Sequence, residues 1–207
     1  VEIDPEVVKV ARDFFALPDD RRLRVIAQDG RLYVEQAGRA ITQGQAAPYD
    51  LVVIDAYSSS TIPYHLTTLE FLQLVRKTLA PDGVVVSNII GAITGPYSGL
   101  LQAMARTFAA VFPRIYVFPV DGWQGAADIY EQNIILIATL DPVEQRKEDW
   151  QKRAEEYHAQ KLIVEDVPSF VQTLVDDSLF FQEKWLMGVP LLTDDYAPVD
   201  TLKHPLL

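Results

Sequence analysis

Polar side chains follow several short apolar segments in the first half of the chain. Glu2 and Asp4 close the opening segment, Asp29 closes RVIAQD, and Asp55 closes LVVID. Asn88 holds the same place after GVVVS. In an open parallel sheet, polar residues at the carboxyl ends of the strands line the crevice in which ligands bind. The spacing therefore predicts a binding site built from these carboxylates and this amide.

The individual carboxylates suit different chemistry. Glu2 is expected to accept hydrogen bonds from two ribose hydroxyls, because a charged acceptor makes the stronger bonds. Asp4 precedes a proline and is expected to cap a helix, whereas Asp29 before glycine fits a turn and a binding role equally. Asp55 follows an apolar run, so we expect burial to raise its proton affinity and to make it a general base.

The elements that position these residues alternate between strand and helix patterns, which predicts an α/β fold with a mainly parallel sheet and helices on both faces. Strands are predicted at 1–4, 23–28, 50–56, 83–89, 114–120 and 133–140, and helices at 5–16, 67–79 and 98–112. Beyond Leu140, Asp141-Pro142 begins a charged helix and another follows around 169–181. We therefore predict an α/β domain over 1–140 and a C-terminal helical cap with an acidic tail over 141–207.

Composition narrows the classes of function. The 207 residues include no cysteine, which excludes disulfides and thiolate chemistry, and their net charge of −11 disfavours nucleic-acid phosphate as a partner. No apolar run has the length of a membrane span. The three histidines His65, His158 and His204 are far apart in sequence, so no metal site is predicted.

Three stretches in this order resemble the spermidine synthase (polyamine aminopropyltransferase) family, a branch of the class I methyltransferase-like, Rossmann-like folds. They are VEIDPEVVKVARDFF, RLRVIAQDGRLYV and YDLVVIDAYSSSTIPYHLTTLEFLQLVRKTLAPDGVVVSNI. The resemblance is collinear over about residues 1–140. The ending LLTDDYAPVD is similar to that of spermidine-synthase-like domains that are often joined to an N-terminal membrane portion.

The resemblance implies roles for the candidate residues. Glu2 corresponds to the ribose-binding acid, Ile3 to the residue that packs on adenine, and Asp29 to the acid near the adenine amino group. Asp55 corresponds to the catalytic acid. The other positions assigned to the nucleoside are Gly30 and Ala56, and those assigned to the substrate are Tyr57, Ser58, Asn88, Asp121 and Trp123, with Tyr130 as a further candidate.

Two of these positions depart from the family pattern. Ser58 stands where family members have a second acid that holds the amine, and Asn88 stands where a glutamine is expected. In the tail, Asp194 and Asp195 either form turns and caps or supply the negative charge that is missing at Ser58. A diamine needs such a carboxylate for the end that Asp55 does not deprotonate.

The leading functional hypothesis is aminopropyl transfer from decarboxylated S-adenosylmethionine to a small amine or polyamine, without a metal. A methyltransferase that uses S-adenosylmethionine and a non-catalytic nucleotide-binding or interaction domain are the alternatives. The family has a Gly-rich βα unit before the opening segment, so we expect this chain to lack that unit and to be part of a longer protein. A cytoplasmic location is expected, on the cytoplasmic face if a membrane portion is attached, and a homodimer is left open.

Overall fold

The structure is a computed structural model that describes residues 1–57, 61–121, 130–163, 165–175, 186 and 188–204. The chain divides into two compact units, Val1–Pro48 and Tyr49–Leu207. This division falls earlier than the boundary that the sequence predicts after Leu140. None of the helices in the described part combines the length and apolar character of a bilayer span.

The first unit contains helices α1 (Pro5–Phe14) and α2 (Gly30–Thr42). The strands predicted at 1–4 and 23–28 are reduced to one parallel bridge between Glu2 and Ala27, so this prediction is wrong in extent and right in direction. Glu2 donates its N–H to Ile26 and accepts from the N–H of Gln28, both at 3.0 Å. An isolated pair of short strands is only marginally stable. Within the described residues no third strand pairs with these two segments, so their ladder stays short.

Both helices of the first unit begin at an aspartate. Asp4 accepts a hydrogen bond from the N–H of Glu6 at 2.8 Å, which confirms the predicted cap. Asp29 accepts from the N–H of Leu32 at 3.0 Å and caps α2. These carboxylates satisfy N–H groups that have no partner within the helix.

The second unit is built on a four-stranded sheet. Its strands are β1 (Tyr49–Ile54), β2 (Leu79–Gly91), β3 (Arg114–Pro119) and β4 (Gln132–Thr139), in the order β1-β2-β4-β3. β1 is parallel to β2, while β4 is antiparallel to both of its neighbours. The predicted, mainly parallel sheet is therefore mixed, because β4 pairs antiparallel with both β2 and β3. Strands β1, β2 and β3 still point the same way.

Helices cover the sheet of the second unit unequally. α4 (Gly99–Ala109) packs on β2 and β3, and α3 (Leu69–Thr78) packs on α4. α5 (Lys147–Ala159) and α6 (Val167–Val171) cover the face that carries Tyr116 and Phe118, where the Trp150 ring lies 5.3 Å and 5.7 Å from their rings. Residues beyond 140 thus share a hydrophobic core with the sheet.

Two helix starts differ from the sequence prediction. The cap of α3 is Thr68 rather than Thr67, because the Thr68 hydroxyl accepts from the N–H of Phe71 while the Thr67 hydroxyl donates to the Tyr64 carbonyl. Asp141 closes a turn by accepting from the N–H of Val143 instead of beginning a helix. α5 begins several residues later, after Arg146.

The segment 188–204 is mostly irregular and contains α7 (Val199–Leu202). Leu192 is fully buried, donates its N–H to the Thr107 hydroxyl, and accepts from the N–H of Leu69. Arg106 donates to the Val189 carbonyl. The tail is therefore held on α3 by a main-chain hydrogen bond and on α4 by side chains that bond to its main chain, as well as by apolar burial.

Candidate active site

The carboxyl end of the parallel pair β1–β2 brings an acid and an amide together. Asp55 follows the last residue of β1, and Asn88 lies near the end of β2. The Asn88 side-chain Nδ2 donates to Asp55 Oδ1 at 3.2 Å. Parallel strands end on the same edge of a sheet, so the chain direction of these strands creates this contact between residues 33 positions apart.

Asp55 is exposed to solvent, which corrects the expectation that its side chain is buried. β1 is an edge strand of the described sheet, so only one neighbouring strand shields its end. Within the described residues, the Asp55 carboxylate accepts one hydrogen bond, which comes from Asn88 and ends at Oδ1. An exposed carboxylate with one oriented oxygen can accept a proton from a ligand at its other oxygen.

Tyr57 reaches from the loop after β1 to the backbone of β2. Its hydroxyl donates to the Asn88 carbonyl at 2.8 Å and accepts from the N–H of Ile90 at 3.1 Å. Burial raises the pKa of Tyr57 to about 12; the hydrogen bond from Ile90 opposes that rise and the negative charge of Asp55 adds to it. The phenol is therefore neutral and able to donate throughout the physiological pH range.

The other candidate residues of the second unit lie further from the Asp55–Asn88 pair or outside the described residues. Asp121 follows β3 at the same edge of the sheet, three interstrand spacings or about 14 Å from β1, and its N–H donates to Gln132 Oε1. Tyr130 is exposed and Ala56 is partly buried. Ser58 and Trp123 lie outside the described residues.

The nucleoside candidates Glu2, Ile3, Asp29 and Gly30 belong to the first unit. Glu2 Oε1 accepts from the N–H of Asp4 at 2.9 Å, and the Ile3 side chain is 67% exposed. The Glu2–Ala27 bridge brings the end of the opening segment beside the segment that leads to Asp29. Glu2 and Asp29 provide two carboxylates, and Ile3 an exposed apolar side chain, at the ends of two neighbouring segments. Such groups can bind a ribose and a base, and this binding role stays a prediction.

The tail carboxylate Asp194 contacts the beginning of α3. Its Oδ1 accepts from the Thr68 hydroxyl at 2.7 Å, and its N–H donates to Glu70 Oε2 at 2.9 Å. The role of Thr68 was not predicted, although a second threonine before an apolar helix was the available signal in the sequence. Asp195 is exposed. These contacts describe a structural role for Asp194, and the amine-binding role of Asp194 and Asp195 remains a prediction.

An acid after one parallel strand, an amide on the next and a mixed sheet flanked by helices describe an α/β protein, and its similarity to solved spermidine synthase and methyltransferase structures makes the fold class I methyltransferase-like. Residues 1–120 match the model of the spermine/spermidine synthase domain. The chain therefore belongs to the spermine/spermidine synthase family. No group of three acidic or histidine side chains within the described ranges is arranged as metal ligands are.

Known proteins similar to the chain include both aminopropyl- and methyltransferases. It is 28% identical to a polyamine aminopropyltransferase of Vibrio vulnificus over 98% of its own length and 60% of the relative's. It is 31% identical to the human eEF1A lysine and N-terminal methyltransferase over 69% of its length and 19% of that protein. A probable spermidine synthase from Corynebacterium glutamicum shares the fold with a TM-score of 0.64 at 20% identity, over 95% of this chain and 63% of that one. The chain thus spans less than two thirds of the length of each.

Proposed function

We propose that the protein containing this chain transfers an aminopropyl group from decarboxylated S-adenosylmethionine to a small amine, with Asp55 as the general base. The observation that carries the proposal is the Asp55–Asn88 pair at the carboxyl end of β1 and β2. The family of the chain and its similarity to a polyamine aminopropyltransferase support the reaction class.

The acceptor must lose a proton to become a nucleophile. An alkylamine has a pKa of about 10.4, so the free energy needed to deprotonate it at pH 7 is about 4 to 5 kcal/mol. Asp55 accepts that proton, while the amine nitrogen forms a bond to the carbon next to the sulfonium sulfur. The carbon–sulfur bond breaks, and its electron pair stays on sulfur, which leaves as methylthioadenosine. The proton on Asp55 then passes to solvent, which the exposure of the carboxylate permits.

The sulfonium donor carries a nucleoside, and the first unit offers groups of suitable chemistry for it. Glu2 is a charged acceptor for the two ribose hydroxyls, and the exposed side chain of Ile3 provides an apolar surface for the base. Asp29 and Gly30 stand at the N-terminus of α2 and are assigned to the edge of the base. The net charge of −11 favours the approach of a cationic amine.

Methyl transfer from S-adenosylmethionine is the second candidate. The similarity to the human methyltransferase favours it, as does Ser58 at the position where a second acid is expected. The cytoplasmic location stays a prediction from the sequence, and the sequence leaves a homodimer and an N-terminal membrane portion open.

The test uses the full-length protein and Asp55→Asn. With decarboxylated S-adenosylmethionine and a panel of diamines, the unaltered protein should release methylthioadenosine, and the variant should be about 10²- to 10⁴-fold slower, which is the usual contribution of a general base. Asn has nearly the shape of Asp, so nucleoside affinity measured by calorimetry should be unchanged. A variant that retains the full rate would refute the role of Asp55.

The choice of donor separates the two reactions in the same assay. Mass spectrometry of the product distinguishes an added aminopropyl group from an added methyl group. If the protein turns over with S-adenosylmethionine and not with the decarboxylated donor, the reaction is methyl transfer and the proposal of aminopropyl transfer is wrong.

A further inference from the structure

The Tyr57 hydroxyl occupies a place that main-chain atoms hold elsewhere in the sheet. Main-chain pairing of β1 with β2 ends at Ile54 and Ser87. In a parallel pair, a strand residue donates its N–H to one residue of the neighbouring strand and accepts at its carbonyl from the residue two positions further on. The hydroxyl does both, since it donates to the Asn88 carbonyl and accepts from the N–H of Ile90. One side chain thus extends the ladder past the end of β1.

This arrangement engages the only proton of the hydroxyl. A phenol has a single O–H, and in Tyr57 it points at the Asn88 carbonyl. In this arrangement β2 engages the hydroxyl proton, and the substrate contact expected for Tyr57 from the sequence stays a prediction. The effect of the hydroxyl that the structure describes passes through β2.

Asn88 is the residue through which that effect passes. Its carbonyl is held by Tyr57, and its side-chain Nδ2 donates to Asp55 Oδ1 at 3.2 Å. A carboxylate accepts only, so the nitrogen of the amide must be the end that faces Asp55. The amide oxygen of Asn88 is buried and has no hydrogen-bond partner among the described residues. The direction of the amide thus depends on the backbone of β2 and on Asp55.

We propose that Tyr57 is a positioning residue, which aligns the Asp55 carboxylate by fixing the backbone of Asn88. The proposal rests on the role of Asp55 proposed above. It assigns to Tyr57 a function in setting the orientation of the base, without contact to the reacting atoms. A small misplacement of a catalytic group is enough to lower a rate by about two orders of magnitude.

The first experiment is a double-mutant cycle in the full-length protein. Tyr57→Phe removes the hydroxyl and keeps the ring, and Asn88→Ala removes the amide. Each should lower kcat by about 10- to 100-fold, with the KM of the sulfonium donor within about twofold. In the Asn88→Ala background, Tyr57→Phe should lower kcat no further, because the two residues act along one route. Tyr157→Phe, on the exposed side of α5, is the matched control and should keep the unaltered rate.

The second measurement needs no turnover. The ¹³C chemical shift of the Asp55 carboxyl carbon at a fixed neutral pH, which reports the hydrogen bond from Asn88, should change in Tyr57→Phe and in Asn88→Ala, and no further in the double variant. A role confined to stability would lower the melting temperature of Tyr57→Phe and leave both this chemical shift and kcat unchanged. That result, or rate losses that multiply in the double variant, would overturn the inference.

The two proposals can fail separately. If Asp55→Asn keeps the full rate while the carboxyl chemical shift of Asp55 still depends on Tyr57 and Asn88, the positioning stands and the assignment of the base fails. If Asp55→Asn is inactive while Tyr57→Phe retains the rate and this chemical shift, the base stands and the positioning fails.

Discussion

Asp55 and Tyr57 lie two residues apart and meet different environments. The carboxylate is exposed beyond the end of β1, whereas the phenol is half-buried against β2. Burial is the main reason that the pKa of Tyr57 is raised to about 12. The loop after β1 therefore carries one group that can exchange protons with solvent and one that keeps its proton and holds the backbone.

The raised pKa of Tyr57 predicts how its contribution to stability changes with pH. The folded state favours the protonated phenol, whose usual pKa is near 10, so the contribution is complete below pH 10 and is lost as the pH rises through about 12. At pH 8, Tyr57→Phe should lower the free energy of unfolding by about 1 to 3 kcal/mol, because a buried donor and acceptor lose their partner.

Urea denaturation of the unaltered protein and of Tyr57→Phe at a series of pH values tests this. The difference between the two should shrink between about pH 10 and pH 12. A difference that stays constant over that interval would show that the hydroxyl proton does not matter to the fold.

At the scale of elements, the beginning of α3 is held by a residue from the far end of the chain. The Thr68 hydroxyl accepts from the N–H of Phe71 and donates to Asp194, which is 126 positions away. Thr68 is fully buried, so neither hydrogen bond has a ready substitute in water. In the chain, α3 follows Asp55 and Tyr57 after the short 3₁₀ helix Tyr64–Leu66, and the start of α3 is anchored to the tail.

Thr68→Val should lower the free energy of unfolding by about 1 to 2 kcal/mol, because it removes the cap and keeps the volume of the side chain. Thr68→Ser retains the hydroxyl and should recover most of the loss. Asp194→Asn keeps an oxygen acceptor and should cost less than Thr68→Val. Chemical denaturation measures all three, and a serine variant as unstable as the valine variant would argue against the hydroxyl.

At the scale of the whole molecule, the two units differ in how much apolar surface they bury. Among the residues that the structure describes, every buried hydrophobic one lies in the second unit, and the buried residue within the helices of the first is Gly38. Phe14 and Phe15 are each 78% exposed. Because burial of apolar surface is the main source of stability, the first unit should open more readily.

Hydrogen exchange followed by mass spectrometry tests this in the 207-residue chain. Amides of α1 and α2 should exchange faster than those of β2 and β4. Methylthioadenosine at saturation should slow exchange in the first unit if Glu2 and Asp29 bind the nucleoside. Equal protection of both units without the nucleoside would contradict the expected difference.

The sequence by itself determined the local features of this protein. Asp4 before Pro5 predicted a cap, which is confirmed, and the apolar runs before Asp55 and Asn88 predicted two parallel strands, which are β1 and β2. The polar residues after those runs placed Asp55 and Asn88 at one edge of the sheet, and the structure shows the hydrogen bond between them. Each of these predictions used only residues within a few positions of a helix start or a strand end, so the local pattern contains the information.

Only the tertiary structure decided the long-range features. The antiparallel direction of β4, the exposure of Asp55, the Tyr57 bonds to β2 and the Thr68–Asp194 contact all depend on which backbone groups remain unpaired after distant segments have packed. Periodicity marks a strand without stating its direction, and a tyrosine after a strand does not reveal which donor and acceptor its hydroxyl will meet. The physical reason is that a buried polar group must find a partner, and the fold determines which partner is within reach.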